Sequence, residues 1–349
     1  MPRFKTRQSA FRRHLLADRM ASYSLLTLAA IAVATALSYL SMPLIPFVLA
    51  IFLTYIVTPL VDFFQSRLHL PRWCALALAF LIAAGGIALA SGLVLANFQD
   101  LLTSADVYQA RLILLASELS LLAVRYHIPV DQNYVLSAVR EIPVFSTLAQ
   151  AAGQVMNVLM SAFLVLIFLF FLVMGSNPAR ERTGIYAEID LKIRQYLATK
   201  LATSAATGVL VGVTLAILGV DMAVMFGLIT FLLNFIPTIG AVVATLLPLP
   251  VALLQFDEPF KWLLVVLIPG ALQGVIGNFI EPKLLSDSLD LHPAAVLLAL
   301  TFWGIIWGPT GMFLAIPIVV VLKIAMARIP TTRPFAELLA GRLPILGSK

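Results

Sequence analysis

The chain has 349 residues, of which 61% are hydrophobic and 11% charged, with a net charge of +6 and a mean hydropathy of +1.01. Soluble domains carry about 25% charged residues, so a chain this apolar cannot cover itself with polar surface, and a polytopic membrane protein is expected. One cysteine, Cys74, excludes an intrachain disulfide framework. His14, His69, His127 and His292 have no metal-ligand spacing, and no GxxxxGK[ST] or GxSxG loop occurs. No enzyme, cofactor or metal is therefore expected. Basic residues flank apolar runs rather than forming a nucleic-acid face, with six among the first nineteen residues: Arg3, Lys5, Arg7, Arg12, Arg13 and Arg19.

Residues 1–20 form a basic segment, which places the N-terminus in the cytoplasm. Residues 21–97 carry three apolar runs, 21–42, 44–61 and 73–97. The first exceeds the apolar core of about 7–15 residues of a cleaved signal and is read as a retained helix. Residues 98–150 hold Asp100, Asp106, Glu118, Asp131 and Glu141 against Arg111, Arg125 and Arg140. Their interrupted leucine pattern predicts an extracytoplasmic amphipathic helical arm. Residues 151–174 are the fourth span. Residues 175–200, with Arg180, Arg182, Lys192, Arg194 and Lys200, read as a cytoplasmic amphipathic linker.

The regular pattern fails in residues 201–327, the expected transport core. Gly208 and Gly212 form a GxxxG pair that permits close helix approach. The apolar stretch 222–254 is interrupted at Asn234–Gly240, and the stretch 293–327 at Gly308, Pro309, Thr310 and Gly311. The interruptions resemble each other. Each gives Pro-Thr, a Gly, an apolar stretch, then Pro, and Pro237 and Pro309 stand 72 positions apart. Proline removes an amide donor and clashes with the preceding turn. Broken backbone at membrane depth is tolerated only inside protein or beside a wet cavity, and paired breaks are a pointer to a transporter site.

Two geometries fit the breaks: a kinked span in each case, giving eight spans, or a helical hairpin that enters and leaves by one face. Between them, residues 261–280 carry Gln273 and Asn278. At α-helical spacing Gln273, Gly277 and Glu281 share one face. The candidate substrate or ion path is Asn234, Pro237, Thr238, Gly240, Gln273, Gly277, Asn278, Glu281, Gly308, Pro309, Thr310 and Gly311. Glu281 and Asp221 are the candidate coupling carboxylates, each also readable as a helix-end charge, with Asp221 able to cap the segment that follows. Residues 328–349 are a basic tail, expected in the cytoplasm.

The ordered motifs NFIPTIG, QGVIGNFIEPKLL, LHPAAVLLAL and WGIIWGPTGMFLAIPIVVVLK, with LIPFVLAIFLTYIVTPLVDFF near the start, resemble the autoinducer-2 exporter (AI-2E) family of PerM-like permeases. The resemblance runs from Leu44 to Lys323. It implies an all-α protein of about eight predicted transmembrane segments in the bacterial inner membrane. It also implies secondary transport without an ATPase, and homo-oligomers, pentamers among them. Export of a small polar molecule such as autoinducer-2 is the expected activity, with lipid, the cargo and Na+ or H+ as partners. Alternatives are a sodium(lithium)/proton antiporter and a non-transporting scaffold or oligomeric pore.

Overall fold

The computed structural model describes residues 24–25, 27–103, 105–125, 161–175, 184–285 and 290–342, and among them every regular element is a helix. Thr27–Tyr39 is α1, Ser41–Leu68 is α2, Arg72–Thr103 is α3, Ala105–Arg125 is α4 and Ser161–Gly175 is α5. Then come α6 (Ile185–Ile217), α7 (Ala223–Leu233), α8 (Ile239–Leu246), α9 (Leu249–Gln255) and α10 (Pro259–Val275). A π-helical turn, Ile276–Ile280, joins α10 to α11 (Glu281–Leu285), and α12 (Pro293–Arg328) and α13 (Arg333–Leu339) complete the chain. By length and composition alone, five helical stretches among the described residues could cross a bilayer: Ser41–Leu68, Arg72–Leu93, Ile185–Ile217, Pro259–Leu284 and Pro293–Arg328, the last of them broken at Gly308. Shorter apolar helices lie between them.

Large apolar side chains such as Leu298, Phe171, Ile217 and Ile305 point outward. In water such a belt would be an aggregation surface. In lipid it is the expected exterior, because hydrocarbon solvates it. The chain is a multi-pass helical membrane protein.

The interior divides into three apolar clusters. One packs α2, α3 and α5 together through Val57, Ala75, Val165 and Leu169. A second joins the distal half of α6 to α7, α9 and α10 through Leu215, Phe226, Ala252 and Val265. The third joins the proximal half of α6 to α2 and α12 through Tyr196, Phe52, Trp303, Trp307 and Leu314.

From Ile185 on, the stretch read as a cytoplasmic linker continues into the fifth span as one helix, α6, and residues 176–183 of that linker lie outside the described residues. No proline or glycine interrupts residues 185–207, so nothing in the backbone stops the helix there. The 98–150 arm is described as far as Arg125. There, α4 is tied to the core by Arg111, which donates to the Asp257 carboxylate at 2.6 Å and 3.4 Å. The rest of that arm, the segment 151–160 at the start of the fourth span, and residues 1–20 and 343–349 lie outside the described residues.

Both interrupted segments are helical hairpins. At the first corner Thr238 has φ 62°, in the left-handed region. A Cβ on Gly240 would overlap the carbonyl oxygen of Leu233. Seven residues along a straight helix would separate these positions by about 10 Å, so the chain has doubled back. Its incoming arm, α7, has 11 residues, about 17 Å, against a hydrocarbon core of about 30 Å. At the second corner Gly308 (φ 62°, ψ −146°) is non-helical inside the otherwise helical span 293–328. A Cβ on Gly311 would overlap the carbonyl oxygen of Trp303, and one on Gly304 would lie 2.6 Å from Cε of Met312. Positions eight apart would be about 12 Å apart in a straight helix. The same sequence device thus has the same use twice: the glycine after Pro-Thr lets the returning arm cross the carbonyl of the incoming one.

Candidate functional site at the meeting of two hairpins

The hairpin corners meet. The rings of Phe235 and Phe313 lie 4.6 Å apart, and Ile236 joins Trp303, Trp307 and Leu314 in one buried cluster. Trp307 stacks on Trp303 at 5.0 Å and donates its indole N–H to the Leu37 carbonyl of α1 at 3.0 Å. That bond satisfies a donor that lipid could not.

The first hairpin is carried by α6. Its incoming arm, α7, runs back along α6 on a glycine contact. A Cβ on Gly208 would lie 2.7 Å from the Gly227 carbonyl oxygen, and one on Gly227 would lie 3.0 Å from Cα of Gly212. The GxxxG pair therefore packs against a third glycine, Gly227. This close antiparallel contact brings Asn234 to Ser204, whose hydroxyl accepts from Asn234 Nδ2 at 3.0 Å. Both side chains are buried.

On α6 a polar stripe recurs at helical spacing: Tyr196, Lys200, Thr203, Ser204 and Thr207, all buried. The Thr203 and Thr207 hydroxyls donate back to the carbonyls of Lys200 and Thr203, a local way to satisfy hydroxyls inside a helix. Lys200 Nζ lies 2.5 Å from Glu281 Oε1, with side-chain exposures of 2% and 14%. A buried ammonium is tolerated only with such a partner.

On α10, Gln273 donates to the Thr245 hydroxyl of α8 at 2.9 Å. Among the described residues, three buried side-chain oxygens have no hydrogen-bond partner: Tyr196 Oη, Thr230 Oγ1 and Gln273 Oε1. Unsatisfied buried polar atoms are rare and mark places where a polar ligand or water has a use.

The sequence-derived residues divide accordingly. Asn234, Gly240, Gln273 and Gly311 are buried, and Glu281, Pro237, Gly308 and Thr310 partly so. Thr238, Pro309, Gly277 and Asn278 are exposed. The expected shared face of Gln273, Gly277 and Glu281 is altered by the π-helical turn 276–280, in which the Glu281 amide bonds back to the Ile276 carbonyl. An extra residue in one turn shifts the register. Ile276 takes the buried place, while Gly277 and Asn278 face outward. Asp221 is exposed and clasped by Gln255, which donates to its carboxylate at 3.2 Å and accepts from its amide at 2.9 Å. It closes the base of the first hairpin. The residue that caps α7 is Met222 (φ 59°), and no side-chain cap bond forms there.

Sequence reasoning missed Tyr196, Lys200, Ser204, Thr230 and Thr245. Lys200 was read with its basic neighbours as a cytoplasmic charge. The signal that finds it is the stripe 196, 200, 203, 204, 207, a polar face that continues past Lys200 into a stretch without charged residues.

The AI-2E family transporter description matches residues 25–331. "AI-2 transport protein TqsA" of Escherichia coli is 31% identical over 54% of this chain. That alignment spans only 57% of the TqsA chain, less than two thirds of its length. A "Putative transport protein" of Haemophilus influenzae is 30% identical over 79% of this chain and 84% of its own. "Putative transport protein YueF" of Bacillus subtilis is 24% identical over 86% of this chain and 89% of its own. Two hairpins meeting inside a multi-pass helical protein, matched from Leu25 to Thr331, make this chain a member of the AI-2E transporter family.

Proposed function

We propose that the protein is a secondary transporter that exports a small polar molecule such as autoinducer-2 across the bacterial inner membrane. The path runs where the two hairpin corners meet, bordered by Asn234, Gln273, Thr230 and the Lys200–Glu281 pair. The observation that carries this reading is the backbone doubling back at Pro237–Gly240 and Gly308–Gly311, with partnerless buried oxygens on Thr230 and Gln273 beside the first hairpin. Neutral donors and acceptors of this kind suit a hydroxyl-rich neutral solute better than a large anion. Hairpins whose arms are short relative to the bilayer are also elements that can shift without unravelling a full span. A relative named for AI-2 transport supports the same cargo class.

The test is flux of autoinducer-2 into everted membrane vesicles, and into liposomes with and without proton or sodium gradients. Gln273→Leu removes both the bond to Thr245 and the free oxygen. Asn234→Leu removes the contact with Ser204. Each is expected to lower flux about tenfold or more, the scale of losing one or two hydrogen bonds to a bound solute. Flux equal to wild type in both variants would remove this path. Exchange of sodium or lithium for protons without autoinducer-2 flux would favour the antiporter instead.

A further inference from the structure

We propose that the cavity between α2, α5 and α6 is a second solute site, an entry site for a small neutral polyhydroxylated molecule on the cytoplasmic side of the path. It measures about 390 Å³ and is lined by Thr54, Tyr55 and Thr58 of α2, Phe171 of α5, and Asp190 and Arg194 of α6. Sites for small solutes run from about 300 to 1,000 Å³. The last turn of α2 carries Arg67, and α3 begins at Arg72, basic residues that turn this end toward the cytoplasm. Thr58 precedes Arg67 by about 14 Å of helix, so the cavity reaches inward from the membrane edge. Arg194 precedes Ser204 by about 15 Å on α6. The cavity therefore shares a helix with the Ser204–Asn234 contact and lies nearer the cytoplasm.

The polar groups on its wall are complementary to hydroxyls. Arg194 Nε lies 3.0 Å from Asp190 Oδ2, but off the line of its N–H bond, and this buried donor has no hydrogen-bond acceptor among the described residues. A buried donor without an acceptor is costly, and marks a place where a ligand or water has a use. Across the cavity, the Thr54 hydroxyl donates to the Ala50 carbonyl at 2.8 Å and the Thr58 hydroxyl to the Thr54 carbonyl at 2.6 Å. Their protons are spent inside the helix, which leaves the oxygen lone pairs as acceptors. A hydroxyl group, donor and acceptor at once, satisfies both sides.

Charge selects against ions. Arg194 and Asp190 cancel at close range. A phosphate drawn to the guanidinium would face the carboxylate, and an ammonium drawn to the carboxylate would face the guanidinium. A vicinal diol meets neither penalty. One hydroxyl accepts from Arg194 Nε, and its neighbour donates to a threonine oxygen or to the carboxylate, which has room for several donors. Phe171 gives the C–H face of such a solute an apolar surface. The site deepens the transport reading by naming where cargo is first held, and it rests on that reading for its use. Its test reads binding rather than flux, so the two fail separately.

The experiment is solute protection of a single thiol in the full chain in lipid nanodiscs. Cys74→Ser removes the native cysteine, and Gly175→Cys places a thiol at the cavity, where a Cβ meets nothing within 4 Å. A neutral water-soluble maleimide is expected to label it readily, and saturating autoinducer-2 to slow labelling about tenfold or more. Inorganic phosphate at the same concentration should leave the rate unchanged. Arg194→Leu and Thr54→Val should each raise the half-protecting concentration about tenfold. Thr54→Val keeps the shape of the wall, so it decides the matter if Arg194→Leu fails to fold. Asn234→Leu, in the deeper path, should keep the protection while losing flux. Protection without any vesicle flux upholds the site and removes the transport reading. No slowing up to about 10 mM autoinducer-2 overturns the site, and persistent flux would then leave the transport reading standing. A thiol that is not labelled without solute, phosphate protecting as well as autoinducer-2, or undiminished protection in Thr54→Val and in folded Arg194→Leu also overturns it.

Discussion

Lys200 and Glu281, 81 positions apart, hold each other at 2.5 Å across α6 and α11. Removing one charge strands the other, which for a buried pair costs about 3–5 kcal/mol, whereas neutralising both is close to neutral. Glu281→Gln is therefore expected to lower the apparent melting temperature in detergent clearly. Lys200→Met/Glu281→Gln should recover most of the loss. A double-mutant cycle by thermal unfolding at pH 8 measures the coupling, and additive effects would mean that the two residues do not act as a pair.

The hairpin corners depend on two glycines. Gly240→Ala and Gly311→Ala each drive a methyl into a backbone carbonyl, of Leu233 and Trp303 respectively. Overpacking of this kind costs about 1–3 kcal/mol, and more where backbone must yield. Gly274→Ala is the control, because a Cβ there meets nothing within 4 Å and alanine is the better helix former. Thermal stability and monodispersity should fall for the first two variants and hold for the third.

Phe235 couples the two hairpins through its ring contact with Phe313, and it is buried. Phe235→Ala should cost about 3–5 kcal/mol if the corner cannot collapse into the space. Phe235→Leu should cost much less. Equal unfolding temperatures for Phe235→Ala and wild type would show that the corners do not support one another.

A latch at the other end of α12 is acid-sensitive. Asp290 accepts from Lys323 at 2.8 Å and from Arg342 at 3.1 Å, and the His292 amide donates to the Leu339 carbonyl of α13 at 2.9 Å. The bond from Lys323 holds the Asp290 carboxyl below its ordinary range, helped by the charges of Lys323 and Arg342 and opposed by partial burial. A carboxyl depressed in the folded state stabilises fully above its unfolded value, about 3.9. That stabilisation is lost as pH falls through the depressed folded value. Protection of residues 333–339 should therefore be constant from neutral pH to about pH 5 and drop only below about pH 4. Asp290→Asn should show the loosened state at every pH.

Much of this protein was written in its sequence. Composition alone determined that lipid is its solvent, because 11% charged residues cannot cover a chain of this size. The two Pro-Thr-Gly breaks were legible as a repeated departure from helical pattern, because proline and glycine act locally on backbone. Whether each break was a kink or a reversal was not legible. That depends on whether Gly240 meets the Leu233 carbonyl and Gly311 that of Trp303, contacts that arise only when the arms fold onto each other. The meaning of Lys200 was equally hidden. Along the chain it reads as one more basic residue near a membrane edge, and only the folding of α11 against α6 gives it Glu281 as a partner. The π-helical turn likewise exists in no local pattern of IGNFI. It lies between the position at which Gln273 reaches Thr245 and that at which Glu281 reaches Lys200. Local chemistry fixes where the chain can break, whereas tertiary packing decides what the breaks and buried charges face.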